Sequence, residues 1–178
     1  MNSTLVFDNT PLSHFARAAH LDVLALLAKG HSCATTPEVR AELLDGTAEY
    51  PELAGAIALP WLQTVELLDV AELATFARFK SELGGGVSRN VGEATVLAWA
   101  KSHGGIVIMD ERAGSRIAQR ERIEVHGSLW LVTNGLRSGL LDRAEAEDIV
   151  DSLAGTGMRL PTDGKGLFIW AYEEGLLP

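Results

Sequence analysis

The chain has one cysteine, Cys33, so no internal disulfide can form, and a reducing compartment is the expectation. Five histidines (His14, His20, His31, His103, His126) come with no cysteine pair and no H-E-x-x-H spacing, so no structural zinc site is expected. Aromatic residues make up 6% of the chain, without the block that base-stacking RNA-binding sheets carry. No apolar run approaches the roughly 18 residues of a membrane span. The first eight positions lack the basic and apolar stretches of a secretory leader. A cytoplasmic protein with no membrane contact is expected. Positive charge is also scarce: 15 Lys and Arg face 24 Asp and Glu, for a net charge of −9. That excludes coating of nucleic acid by bulk charge but leaves room for a local basic track.

With 178 residues, 47% of them hydrophobic, the chain can build about one packed domain without staples. Strand-like and helix-like patterns alternate along it. Short strands are predicted over 4–7, 32–35, 106–109 and 123–125, with a possible edge strand over 61–67. Between them, a helix from Pro11 carries Leu12, Phe15 and Ala19 on one face, and a second runs from Leu21 to Gly30. Thr36 caps a helix with Pro37 at its first position. Further helices are predicted over 72–83, from Asn90 to His103 and over 112–122. Two more follow, the second opened by the Asp142/Glu145 capping box. Strands separated by helices imply an α/β fold: a central, mainly parallel sheet of four to five short strands with helices on both faces. The main domain is expected over 1–154, with 155–178 a C-terminal loop and helix extension.

In such sheets ligands bind beyond the carboxyl ends of the strands. Asp8 and Asp110 fall there, each directly after an apolar strand. Glu42 and Glu93 lie at the margins of apolar helix faces, Glu93 in register with Val96, Leu97 and Ala100. Each acid has a local explanation as well. Asp8 and Asp110 could cap helices, Glu93 could answer Asn90 in a capping box, and Glu42 and Glu111 could be ordinary helix acids. Together they suggest one site, because a buried carboxylate must be hydrogen-bonded, protonated or bound to a metal.

Four blocks resemble the PIN-domain family: Asp8-Asn9-Thr10-Pro11-Leu12, the helix from Pro37 to Leu43, Gly92-Glu93-Ala94-Thr95-Val96-Leu97-Ala98, and Ile108 to Ala113 with Arg116 and Ala118. The likeness spans about residues 4–140. It is strongest to small bacterial members with a D-N-T-P-L start, some of them similar to VapC-type toxins. The last block departs from the commoner T-x-D form, with Met109 and Glu111 around Asp110.

The resemblance implies a ribonuclease dependent on Mg²⁺ or Mn²⁺, hard cations that take carboxylate and water oxygens. It implies Asp8, Glu93 and Asp110 as metal ligands and Glu42 as the fourth catalytic acid. Asn9, Thr10 and Glu111 would support them from behind. It also implies an RNA substrate, a small antitoxin protein as partner, and a homodimer. Arg112, Arg116 and Arg120 recur every fourth residue beside Asp110, a stripe that could track a phosphate backbone or be a solvated helix face. Arg89 and Lys101 are weaker candidates. Two other functions stay open: a catalytically silent PIN-like module that binds RNA or protein, and a phosphohydrolase acting on a small molecule. A D-x-D opening for the latter is disfavoured by Thr10.

Overall fold

The computed structural model describes residues 3–178. Five short strands form one sheet: β1 (Thr4–Phe7), β2 (Ser32–Thr35), β3 (Leu62–Thr64), β4 (Ile106–Ile108) and β5 (Glu124–His126). Their order is β3-β2-β1-β4-β5, and every neighbouring pair is parallel. Leu5 stands opposite both Cys33 and Ile106. Leu5, Val6, Phe7, Val107 and Ile108 are fully buried, as the continuous apolar runs of a central parallel pair require.

Ten helices complete the described chain: α1 (Asn9–Arg17), α2 (Leu21–Leu27), α3 (Pro37–Gly46), α4 (Leu53–Ile57), α5 (Val70–Leu83), α6 (Val91–His103), α7 (Arg112–Glu121), α8 (Ser128–Arg137), α9 (Arg143–Gly155) and α10 (Leu167–Glu173). Helix α6 packs on β1 and β4 and is enclosed by α3, α5 and α7. Every residue from Gly92 to Ala98 is buried, so α6 is a core helix with no polar face over its first two turns. Helix α8 packs on α2 and α9, and α9 also meets α1. Met158 and Leu167 join the same buried cluster as the sheet.

From β1 the chain winds outward through β2 to β3, then crosses back to lay β4 on the other side of β1. The winding direction therefore reverses between β1 and β4. A crevice opens at the carboxyl ends of such a pair, and Asp8 and Asp110 emerge there.

Local boundaries differ from the sequence pattern for identifiable reasons. Helix α1 starts at Asn9, directly on Asp8, rather than at Pro11. Ala19 does not continue its apolar face; it turns left-handed at φ 58° and is exposed, closing the helix. Strand β5 begins one residue late because the Ile123 N–H closes α7 by donating to the Ala118 carbonyl at 2.8 Å. Helix α5 starts two residues early, where Asp69 and Glu72 form a reciprocal capping box. The edge strand is confined to Leu62–Thr64, and the short helix α4 was not foreseen.

Leu97 is fully buried on α6. Truncation to alanine should cost about 2–5 kcal/mol, measured as a lower urea midpoint with an unchanged slope. A loss under about 1 kcal/mol would mean that this helix is not packed as described.

Candidate metal centre

Asp8 follows β1 and takes an extended backbone, φ −80° and ψ 170°, at the N-cap position of α1. Its side chain makes no cap hydrogen bond, so the carboxylate remains available to the crevice. It is 3% exposed. Burial pushes its pKa from 3.8 to about 8; the Asn9 and Thr10 amides pull it down, and the charges of Glu93 and Glu42 push it further up.

Glu93 sits one turn into α6. The capping-box explanation fails for it, because Asn90 enters the helix in a left-handed conformation and its side chain donates to the Leu83 carbonyl at the end of α5 rather than capping α6. Glu93 is 6% exposed, and its Oε1 is buried without a hydrogen-bond partner. Burial, with Glu111 and Glu42 adding to it, raises its pKa to about 7, while the Gly114 N–H works the other way. Gly114, on α7, allows this approach: a Cβ there would lie 2.2 Å from Glu93 Oε1.

Glu42 projects from α3 and accepts a hydrogen bond from the Gly92 N–H at 2.9 Å. A side chain at Gly92 would meet the Glu42 carboxylate at 2.8 Å. The glycine before Glu93 is thus what lets α3 and α6 close on each other. Burial raises the Glu42 pKa as well.

Asp8, Glu42, Glu93 and Glu111 line one cavity of about 400 Å³, together with Asn9, Thr10 and Arg89. Asp110 does not line it. Its two carboxylate oxygens accept from the Ser128 N–H and the Ser128 hydroxyl, both at 2.8 Å. Glu111 has an extended backbone, φ −77° and ψ 128°. Successive side chains on extended chain point to opposite sides, so the Asp110-Glu111 pair sends one acid toward α8 and the other, an exposed one, toward Glu93. The fourth acid of the cavity is therefore Glu111, which the sequence pattern had given a supporting position. As the side chains stand, no three His, Cys, Asp or Glu among the described residues are close enough to hold an ion.

The arginine stripe is divided. Arg112 and Arg116 are exposed at the start of α7. Arg120 pairs instead with Glu82 of α5 and with Glu121. Glu121 also receives Arg78 of α5 and Lys101 of α6, which lowers its pKa to about 2, the Arg78 hydrogen bond contributing most. The far end of the stripe thus fastens three helices together. Arg89 is the cationic side chain among the residues lining the acid cavity. It follows three consecutive glycines of positive φ, Gly84 to Gly86.

The Asp8 shift, with that of Glu93 beside it, dominates the pH dependence of the metal-free protein. The folded value lies above the unfolded one, so the native state holds the extra proton between about pH 4 and pH 8. Stability should fall as pH rises through that window. Asp8→Asn should remove much of this slope and stabilise the metal-free protein near pH 8, by on the order of 1.4 kcal/mol per pH unit of the interval. Chemical denaturation in a chelator from pH 5 to 8 measures it; parallel curves for both proteins would contradict the burial argument.

Comparison with known proteins was consistent with this architecture. A search of curated proteins found no significant match. A chain in the crystal structure of VapBC2 from Rickettsia felis, bound to a DNA fragment from their promoter, shares the fold with a TM-score of 0.51 at 15% identity. The alignment covers 70% of the present chain and 98% of that one. A family model described as PIN domain matches residues 4–169. With the match spanning most of its length, the chain belongs to the PIN-domain family.

Proposed function

We propose that the protein is a Mg²⁺- or Mn²⁺-dependent endoribonuclease. The observation that carries this reading is the unpartnered, buried Glu93 Oε1 in a cavity lined by Asp8, Glu42 and Glu111. A buried carboxylate oxygen without a donor is a costly arrangement unless a proton or a cation completes it. An all-oxygen, all-acid donor set suits hard divalent ions. Asp8, Glu93 and Glu111 would hold the metal, after side-chain rotations that bring them together. A divalent ion there supplies an activated water and relieves negative charge on the phosphoryl group.

The chain's own residues do the rest. Glu42, held by the Gly92 N–H, presents its second oxygen to a water or cation in the cavity. Asn9 and Thr10, at the start of α1, fix Asp8 from below. Arg89 takes a phosphate oxygen, and the exposed Arg112 and Arg116 receive the strand leading away. Asp110 carries no catalytic role in this reading: Ser128 holds both its oxygens, and it ties β4 to α8.

A toxin role with a small antitoxin partner, and pairing with a second copy, follow from the likeness to VapC-type proteins. The exposed Leu68, Val70 and Leu73 at the start of α5 offer an apolar surface for such a partner. Induced expression should arrest growth, and Asp8→Asn should relieve the arrest. Harmless expression of the active protein would remove the toxin assignment.

Purified protein should cleave single-stranded RNA with Mn²⁺. Asp8→Asn and Glu111→Gln should each lose about 100-fold or more. Mg²⁺ or Mn²⁺ should raise the Tm of the parent protein but of neither variant. Asp110→Asn should keep activity per folded molecule and lose about 1–3 kcal/mol of stability through Ser128. Full activity of Glu111→Gln alongside an inactive, folded Asp110→Asn would reverse the assignment of the two acids.

A further inference from the structure

Beside the acid cavity lies a second one of about 270 Å³, which shares Asn9, Thr10 and Glu42 with it and runs to His14, Arg17 and Tyr50. Its end wall is a prepared plane. The Arg17 guanidinium lies 3.8 Å over the Tyr50 ring centroid, and Arg17 Nη2 donates to the Thr156 carbonyl at 2.7 Å. Arg17 and Tyr50 also line a third cavity, with Glu52 and Thr156. The guanidinium is thus held in place from the end of α9, with Tyr50 against one face, and the stacked pair lines both cavities.

His14 is oriented by the same segment. The Thr156 hydroxyl lies 2.6 Å from both the Leu153 carbonyl and His14 Nδ1. A hydroxyl has one proton, so both contacts are satisfied only if Thr156 donates to Leu153 and His14 Nδ1–H donates to Thr156. Burial holds His14 below the usual imidazole range, with Arg17 adding to the effect. The neutral ring then keeps an acceptor lone pair on Nε2. Ser13 donates to Asn9 Oδ1 at 2.7 Å, which leaves its oxygen able to accept.

These features select the occupant. Glu42 at one end and Glu52 beyond the other repel a phosphate and tolerate a neutral group. A fixed guanidinium plane is a stacking surface for unpaired bases. The acceptors of Ser13 and His14 meet exocyclic amino or ribose hydroxyl groups. Arg17 stands at the opposite end of α1 from Asp8, about 12 Å along a nine-residue helix, so the scissile phosphate itself does not reach it.

We propose that this cavity is a base pocket of the substrate strand, taking the nucleobase of a nucleotide near the scissile phosphate and stacking it on the Arg17–Tyr50 pair. The proposal rests on the ribonuclease reading and adds to it the recognition of single-stranded RNA away from the metal.

The test uses the full chain, with Ca²⁺ replacing Mn²⁺ to limit turnover. Labelled single-stranded oligoribonucleotides, each with one abasic position stepped along the strand, are titrated by fluorescence anisotropy. One abasic position should weaken binding roughly tenfold. Arg17→Lys and Tyr50→Ala should weaken the intact oligonucleotide similarly and add nothing at that abasic position. Tyr50→Phe should bind like the parent. The abasic series on the parent protein keeps the test independent of variant folding. Equal binding across the series, in a protein that cleaves RNA with Mn²⁺, would overturn the base pocket and leave the ribonuclease reading intact. Absence of both RNA binding and cleavage in the parent would overturn both.

Discussion

The burial of carboxylates beside one another at the β1–β4 crevice is the constraint around which this molecule is organised. Asp8 and Glu93 are nearly inaccessible to water, and Glu42 and Glu111 share their cavity. Holding acids in one low-dielectric space costs energy that only protons, hydrogen bonds or cations offset. The surrounding structure supplies part of this. Gly92 gives its N–H to Glu42, and Gly114 leaves the space that Glu93 fills. The remainder is met by protonation: burial first, and the neighbouring charges after it, push Asp8 up to about 8 and Glu93 to about 7. In the metal-dependent reading the site would exchange protons for metal, and its affinity for a divalent ion would rise with pH.

Much of this was legible in the chain alone. The runs at Leu5–Phe7 and Ile106–Ile108 are apolar enough to mark central parallel strands, and acids directly after them mark the crevice. The G-E-A block identified Glu93, because one turn of helix places it with Val96 and Leu97. The choice between Asp110 and Glu111 was not legible from hydrophobic pattern, since both follow the same strand. It depends on which way an extended residue points and on Ser128, eighteen positions further on. The departure from T-x-D bears on the assignment proposed above: with Met109 in the threonine position, the acid position would fall on Glu111. Spacing likewise put Arg112, Arg116 and Arg120 on one stripe, but only tertiary packing brings Glu82 and Glu121 to Arg120. The Arg17–Tyr50 stack and its tie to Thr156 join segments more than a hundred residues apart, a distance no local pattern reports.

The net charge of −9 takes on a different meaning once the acids are placed. Four carboxylates line one cavity, and Glu82, Glu72 and Glu121 are engaged with basic side chains. The acidity that excludes bulk coating of nucleic acid is thus concentrated where cations would neutralise it. Arg89 lines this cavity, while other arginines, Arg122, Arg137, Arg143 and Arg159 among them, are exposed away from it. In the ribonuclease reading, RNA binding away from the metal would be weak and salt-sensitive.

The order of the sheet bears on how the protein is made. Its central strand precedes the other four in the chain, yet β1 gains its second neighbour only when β4, at Ile106–Ile108, has been synthesised. Pairings so distant in sequence form late. The cavity acids span positions 8 to 111, so no N-terminal fragment shorter than that contains a complete set. The centre therefore assembles only once the whole segment from Asp8 to Glu111 has been made.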